Sequence, residues 1–107
     1  MKESQEKVNK IQLLEQNVQA VSAQKQQIQT QIFELDSALK ELEGSTDTFK
    51  IIANIMIKTP KEKLKKDLEE KKEVLNLRMQ TLEKQEKQLK DTIKELQQEI
   101  LKKSEKK

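Results

Sequence analysis

The sequence predicts an all-α dominated fold, a long antiparallel two-helix coiled coil with one β-hairpin at the fold-back. Three observations predict it. Apolar residues recur at steps of three and four on both sides of the middle of the chain, which is the pattern of a coiled-coil seam. The stretch from Thr46 to Thr59, TDTFKIIANIMIKT, breaks that pattern almost centrally in 107 residues and is dense in β-branched side chains. Composition leaves little else: 33% of residues are apolar and 38% charged, whereas a compact domain is closer to half apolar, so the chain lacks the material for a globular core.

The first helix is expected from about Ser4 to Glu43, roughly 60 Å at 1.5 Å per residue. Taking Ile11 as an a position, a falls on 11, 18, 25, 32 and 39 and d on 14, 21, 28, 35 and 42; only Lys25 interrupts an apolar stripe. A seam this narrow over more than four heptads belongs to a coiled coil and not to a helix lying on a core. Gln24, Gln26, Gln27, Gln29 and Gln31 cover outer faces without adding charge. Gly44, two residues past the last seam leucine, is placed to cap the helix in a left-handed conformation.

Phe49, Ile51, Ile52, Ile55, Met56 and Ile57 form the hairpin. With a two-residue turn at Ala53-Asn54, Ile52 faces Ile55 and Lys50 faces Ile57 on one side, while Ile51 faces Met56 and Phe49 faces Lys58 on the other. Asn tolerates left-handed backbone and Ala much less so, which leaves the turn type open. Both faces are mainly apolar, and a lone two-stranded hairpin is marginal in water with two unpaired edges. Two outcomes relieve it: the hairpin folds onto its own helices, or several chains contribute hairpins to an intersubunit β-barrel, whose closure removes the edges. The seams are occupied with each other, which favours the second.

Thr59-Pro60-Lys61-Glu62 reads as the start of the second helix, with Thr59 capping, Pro60 at the first helical position and Glu62 completing a capping box. Leu68, Leu75, Leu82, Leu89 and Leu96 follow at seven-residue intervals, with Lys72, Met79, Glu86, Ile93 and Ile100 between them on the same face. This helix is expected from Pro60 to about Lys103. The segments are then 1–43 for the first helix, 44–59 for the loop and oligomerising hairpin, and 60–107 for the second helix and a frayed C-terminus. A leucine-zipper reading fails because the basic region it needs on its N-terminal side is missing.

If paired residues sum to 107, Ile11 meets Leu96, Leu14 meets Ile93, Val18 meets Leu89, Ile28 meets Met79, Ile32 meets Leu75 and Leu39 meets Leu68. Registers slipped by one heptad satisfy the seam as well, but this sum also centres the fold-back between Ala53 and Asn54, so turn and seam agree in preferring it. Four layers are imperfect: Val21 with Glu86, Lys25 with Leu82, Leu35 with Lys72 and Leu42 with Lys65. Long stems can lie along the seam while their charges reach water. In a sharper reading, Lys25 and Glu86, in adjacent layers, pair across the seam and fix the register.

Phe49 to Glu73, together with Leu82-Glu83-Lys84-Gln85-Glu86-Lys87, resembles the β-class subunits of the prefoldin family, and the likeness extends over essentially the whole chain. That class has one hairpin between its helices where the α class has two; the family often has Gly near its hairpin tip, and Ala53-Asn54 departs from that. The resemblance implies a hexamer of two α-class and four β-class subunits on a double β-barrel platform, with six coiled coils hanging from it. It implies an ATP-independent holdase that grips unfolded client proteins at the coiled-coil tips and passes them to a group II chaperonin. The short chain, without eukaryote-like additions, points to an archaeal source.

Candidate client-binding residues are apolar positions near the chain ends. Val8 (e), Leu13 (c) and Leu101 (b) lie off the seam, and the end layers Ile11, Leu14, Ile93, Leu96 and Ile100 have nothing beyond them, with Ile100 opposite Lys7. Weak apolar contacts at several tips add by avidity. Phe33, Val74 and Leu77 are also off-seam but nearer the hairpin, and read as contacts within the platform or with neighbouring subunits. The terminal KKSEKK is a solvated end, with docking to an acidic chaperonin surface as a lesser possibility.

Other classes fare poorly. There is no Cys and no His, which removes thiolate and imidazole chemistry, and no phosphate loop, so no enzyme, cofactor or metal site is expected. With 22 Lys and Arg interspersed among 19 Asp and Glu, and no stacking aromatics, nucleic-acid binding is disfavoured. No apolar run approaches a membrane span of ~20 residues, and the N-terminus has no signal-peptide core, so a cytoplasmic chain is expected. A generic coiled-coil scaffold without client binding is the serious alternative; it would remain a monomer or dimer.

Overall fold

The computed structural model describes residues 2–105 of the chain, and the side chains of residues 2–102. Helix α1 (Lys2–Glu43) leads to strands β1 (Phe49–Ile52) and β2 (Ile55–Lys58), and these to helix α2 (Lys61–Glu105). The chain divides into two compact units: Met1–Gln26 with Gln80–Lys107, and Gln27–Met79.

In the first unit the chain-end halves of the two helices pack through the heptad positions. Ile11, Leu82 and Ile93 are buried, and Leu14, Val18, Val21, Leu89, Leu96 and Ile100 are half-buried. In the second unit Ile28 and Leu42 are buried, while Ile32, Leu35, Leu39, Leu68, Leu75 and Met79 are half-buried. Even Ile28 keeps 5% exposure, because two helices leave every seam residue an open side. Interhelical ion pairs link Lys7 to Glu99 (3.2 Å), Lys25 to Glu86 (3.3 Å) and Asp36 to Lys72 (2.6 Å). Each partner lies within four residues of the one the expected register assigns.

The hairpin has the expected register, with Phe49 opposite Lys58, Lys50 opposite Ile57, Ile51 opposite Met56 and Ile52 opposite Ile55. Ala53 and Asn54 have φ of 48° and 67°, the two left-handed residues of a type I′ turn, whose twist suits paired strands. Beyond the last strand pair, the Thr59 N–H donates to the Thr48 carbonyl at 2.9 Å and the Thr48 hydroxyl donates to the Thr59 carbonyl. Thr48 is buried by this double tie, which closes the base of the hairpin.

That tie moves the start of α2. The Thr59 hydroxyl donates to the Ile57 carbonyl and so is not the cap; the Pro60 carbonyl accepts the first helical bonds, from Lys63 and Leu64, both at 3.1 Å. The N-cap is therefore Pro60, one residue later than the sequence suggests, because Thr59 is held extended against β1. Gly44 also differs from expectation, since its φ is not positive. The end of α1 is closed by other groups: the Ser45 N–H donates to the Leu42 carbonyl, its hydroxyl to the Glu41 carbonyl, and the Lys61 ammonium to the Glu43 carbonyl at 2.8 Å. Finally, Lys65 is exposed and Leu64 is half-buried. In the first turns of α2 the apolar neighbour takes the place that a strict heptad count gave to Lys65.

Candidate functional site

Two sets of apolar residues stand outside the cores. The first is the hairpin. Phe49, Ile51, Ile52, Ile55, Met56 and Ile57 are all between 45% and 69% exposed. β-Branched side chains build the strands and alternate across both faces, so neither face is spared. The hairpin does not fold onto its own helices; Lys50, 3.7 Å from Asp67 of α2, is the charged tether between them. Exposed Phe33, Val74 and Leu77 belong to the same unit. Beside the hairpin lies an open groove of about 750 Å³ with Leu35, Val74 and Leu75 at its base and Glu34, Glu70 and Lys71 at its rim.

The second set lies in the chain-end unit. Val8, Leu13 and Leu101 are exposed, at 40%, 59% and 61%. Leu14, Leu96 and Ile100 are half-buried, and Lys7, opposite Ile100, is engaged by Glu99. Ile11 and Ile93, expected to be uncovered, are instead buried by their partner helix at 9% exposure each. One further helical layer suffices to cover them. The KKSEKK run lies, beyond Lys102, outside the residues whose side chains are described.

Heptad geometry sorts these residues by flank. A groove of about 390 Å³ in the chain-end unit is lined by Asn17, Ala20 and Val21 of α1 and Gln85, Gln88 and Leu89 of α2, which are g, c and d positions on both helices. The g and c positions thus share one flank of the pair, and e and b positions share the other. Leu13 (c) stands on the first flank; Val8 (e) and Leu101 (b) stand together on the second. Sequence reasoning named these leucines and Val8 but missed the groove, whose signal was an unbroken set of uncharged g and c residues.

Within the seam, Glu86 accepts from the Lys25 ammonium and lies 3.6 Å from that of Lys90. The Lys25 hydrogen bond, against the opposing cost of desolvation and helped by the charges of Lys25 and Lys90, holds its carboxyl below the usual value near 4.5. Among the described residues no group of His, Cys, Asp and Glu is arranged to hold a metal, and no helix is long and apolar enough to cross a membrane.

A family model described as prefoldin subunit matches residues 5–107. The chain belongs to the prefoldin subunit family. Among curated proteins, the prefoldin subunit beta of Archaeoglobus fulgidus is 36% identical over 96 residues, covering 87% of this chain and 83% of that one. The prefoldin subunit beta of Pyrococcus furiosus is 39% identical over 89 residues, covering 80% and 76%. The crystal structure of the prefoldin beta subunit from Thermococcus strain KS-1 superposes with a TM-score of 0.88 at 34% identity, over 92% of this chain and 89% of that one. The likeness to the β class read from Phe49 to Glu73 thus extends to sequence and fold across most of the chain, and the relatives that carry it are archaeal. One hairpin between two long helices is the arrangement this prefoldin chain shares with that structure.

Proposed function

We propose that this prefoldin chain is the β-class subunit of an ATP-independent holdase. In this reading its hairpin joins those of an α-class partner and further β-class copies in a barrel, two α and four β in all. The coiled coils capture unfolded proteins near their ends and deliver them to a group II chaperonin in the cytoplasm. The observation that carries this is the exposure of all six apolar hairpin residues beside filled helix seams. A hairpin of two four-residue strands cannot hold such a surface in water alone, and hairpins of further chains are the natural cover. Family membership supports the chaperone role.

At the chain ends, Val8, Leu13 and Leu101 are available directly. The half-buried Leu14, Leu96 and Ile100, and the buried Ile11 and Ile93, contribute only where the terminal turns separate. The test replaces Val8, Leu13 and Leu101 together by Ser and measures suppression of aggregation of a chemically unfolded protein by the assembled complex. These side chains pack little, so assembly should persist; protection should fall several-fold. A variant that assembles and protects as well as the parent would show that clients bind elsewhere.

A further inference from the structure

In a chain with 38% charged residues, one flank of the chain-end unit carries none over about two helical turns. From Asn17 to Gln24 the g and c positions of α1 are Asn17, Ala20 and Gln24; facing them on α2 are Gln85, Gln88 and Thr92, while Leu13, one turn further out, faces Glu95. The e and b positions of the same unit, on the other flank, include Glu15, Glu83, Lys87, Lys90 and Lys94. Solvation therefore does not explain the uncharged flank, since the opposite one is solvated in the ordinary charged way. The small side chain of Ala20 opens the groove of about 390 Å³ between Asn17 and Gln85, with Val21 and Leu89 at its base. Among the described residues, the amides of Asn17, Gln24, Gln85 and Gln88 are exposed and make no hydrogen bond within the chain.

We infer that this flank binds an extended segment of unfolded polypeptide through its backbone, a deepening that rests on the holdase reading above. Each carboxamide offers two donors and an acceptor, the complement of a peptide group, and pairs with N–H and C=O whatever the side chain. Successive g and c residues on a helix stand about 5–6 Å apart, close to the two-residue repeat of an extended strand of about 6.6–6.8 Å. From Asn17 to Gln24 the strip is roughly 10 Å long, enough for about three extended residues. Absence of charge removes any preference for the sign of the client. Leu13, exposed one turn beyond the strip and across from Glu95, supplies an apolar anchor at its outer end. Affinity comes from shared backbone bonds, and specificity is correspondingly low, as in strand addition at a sheet edge.

The experiment places a photo-crosslinking benzoyl-phenylalanine at Gln24, at the end of the strip and outside the groove, in the assembled complex and presents two unfolded proteins, one acidic and one basic. Crosslinking to both, in comparable yield, is expected. Asn17→Ala, Gln85→Ala and Gln88→Ala combined should lower protection of both clients at least threefold, with helicity and assembly unchanged. Gln85→Glu with Gln88→Glu should lower protection of the acidic client and spare the basic one. If position 24 crosslinks only to another copy of this chain, or if the triple Ala variant protects both clients fully, the inference is overturned. If the unaltered complex protects neither client, the holdase reading itself fails; if it protects both and only the Val8, Leu13 and Leu101 variant loses protection, only the flank is dismissed.

Discussion

At Ala53 the backbone takes φ 48°, a conformation that costs a residue with a Cβ about 1–2 kcal/mol and that Asn and Gly adopt more readily. The type I′ turn favours Asn followed by Gly, and this chain has Ala followed by Asn. Replacing Ala53→Asn together with Asn54→Gly should therefore raise stability by about 1 kcal/mol, read as a higher thermal midpoint by circular dichroism; an unchanged or lower midpoint would contradict the strain. Gly44 is the opposite case. Its φ is not positive and a Cβ there would meet nothing within 4 Å, so Gly44→Ala should stabilise by about 0.4–1 kcal/mol through the unfolded state. Glu86 sets an acid-side dependence. Its folded pKa is lowered, so its contribution is complete above the ordinary value near 4.5 and is lost as pH falls through the folded value. Titration of thermal stability should show the parent losing more than Glu86→Gln as the pH drops below about 4.5. Parallel curves would contradict a role for the Lys25 bond.

The elements differ in how far the sequence disclosed them. Both helices follow from seam residues at steps of three and four, and the strand register follows from placing a two-residue turn at Ala53-Asn54, since two mainly apolar faces would not fix it by alternation. The junctions were less legible. The Thr-Pro-Lys-Glu signature of a capped helix was overridden by the Thr48–Thr59 tie, a contact between residues eleven apart that local pattern does not contain. Gly44 at the end of α1 suggested a left-handed cap, yet Ser45 and Lys61 reach the last carbonyls first. The Lys25–Glu86 pair forms as read, but its hold on register is one-sided. A slip that brings Lys25 opposite Leu89 keeps both charges in adjacent layers, whereas a slip that brings it opposite Leu75 separates them by three layers. Ion pairing thus opposes only the second slip; the short Thr59–Pro60 link from β2 to α2 resists displacement of α2 in either direction. The hairpin offers the sharpest test at this scale. Ile51 is 69% exposed in the single chain, so Ile51→Lys should change the folded chain's stability by about 0.5 kcal/mol or less. In a shared sheet the same change would bury an unpaired charge, so it should abolish co-assembly with an α-class subunit.

For the whole molecule, the small cores and the large exposed apolar set point the same way. The chain fills its seams with single side chains from two helices and leaves the hairpin uncovered, an arrangement suited to a subunit and not to a solitary protein. Candidate residues near the chain ends were only partly legible. Val8, Leu13 and Leu101 followed from heptad positions, whereas the burial of Ile11 and Ile93 depends on how much of each helix beyond them is formed, which composition does not reveal. The uncharged flank was written in the sequence but became a surface only once the grooves showed that g and c positions of both helices share one side.

The central claim is that the hairpin is an assembly element, and the mass of the purified chain mixed with an α-class prefoldin subunit tests it most directly. Light scattering coupled to size exclusion should give a complex of six chains, four of this one and two of the partner, with Ile51 and Met56 protected from solvent in hydrogen exchange. A chain that stays monomeric or merely dimeric beside that partner, with those two residues exchanging freely, would contradict the account.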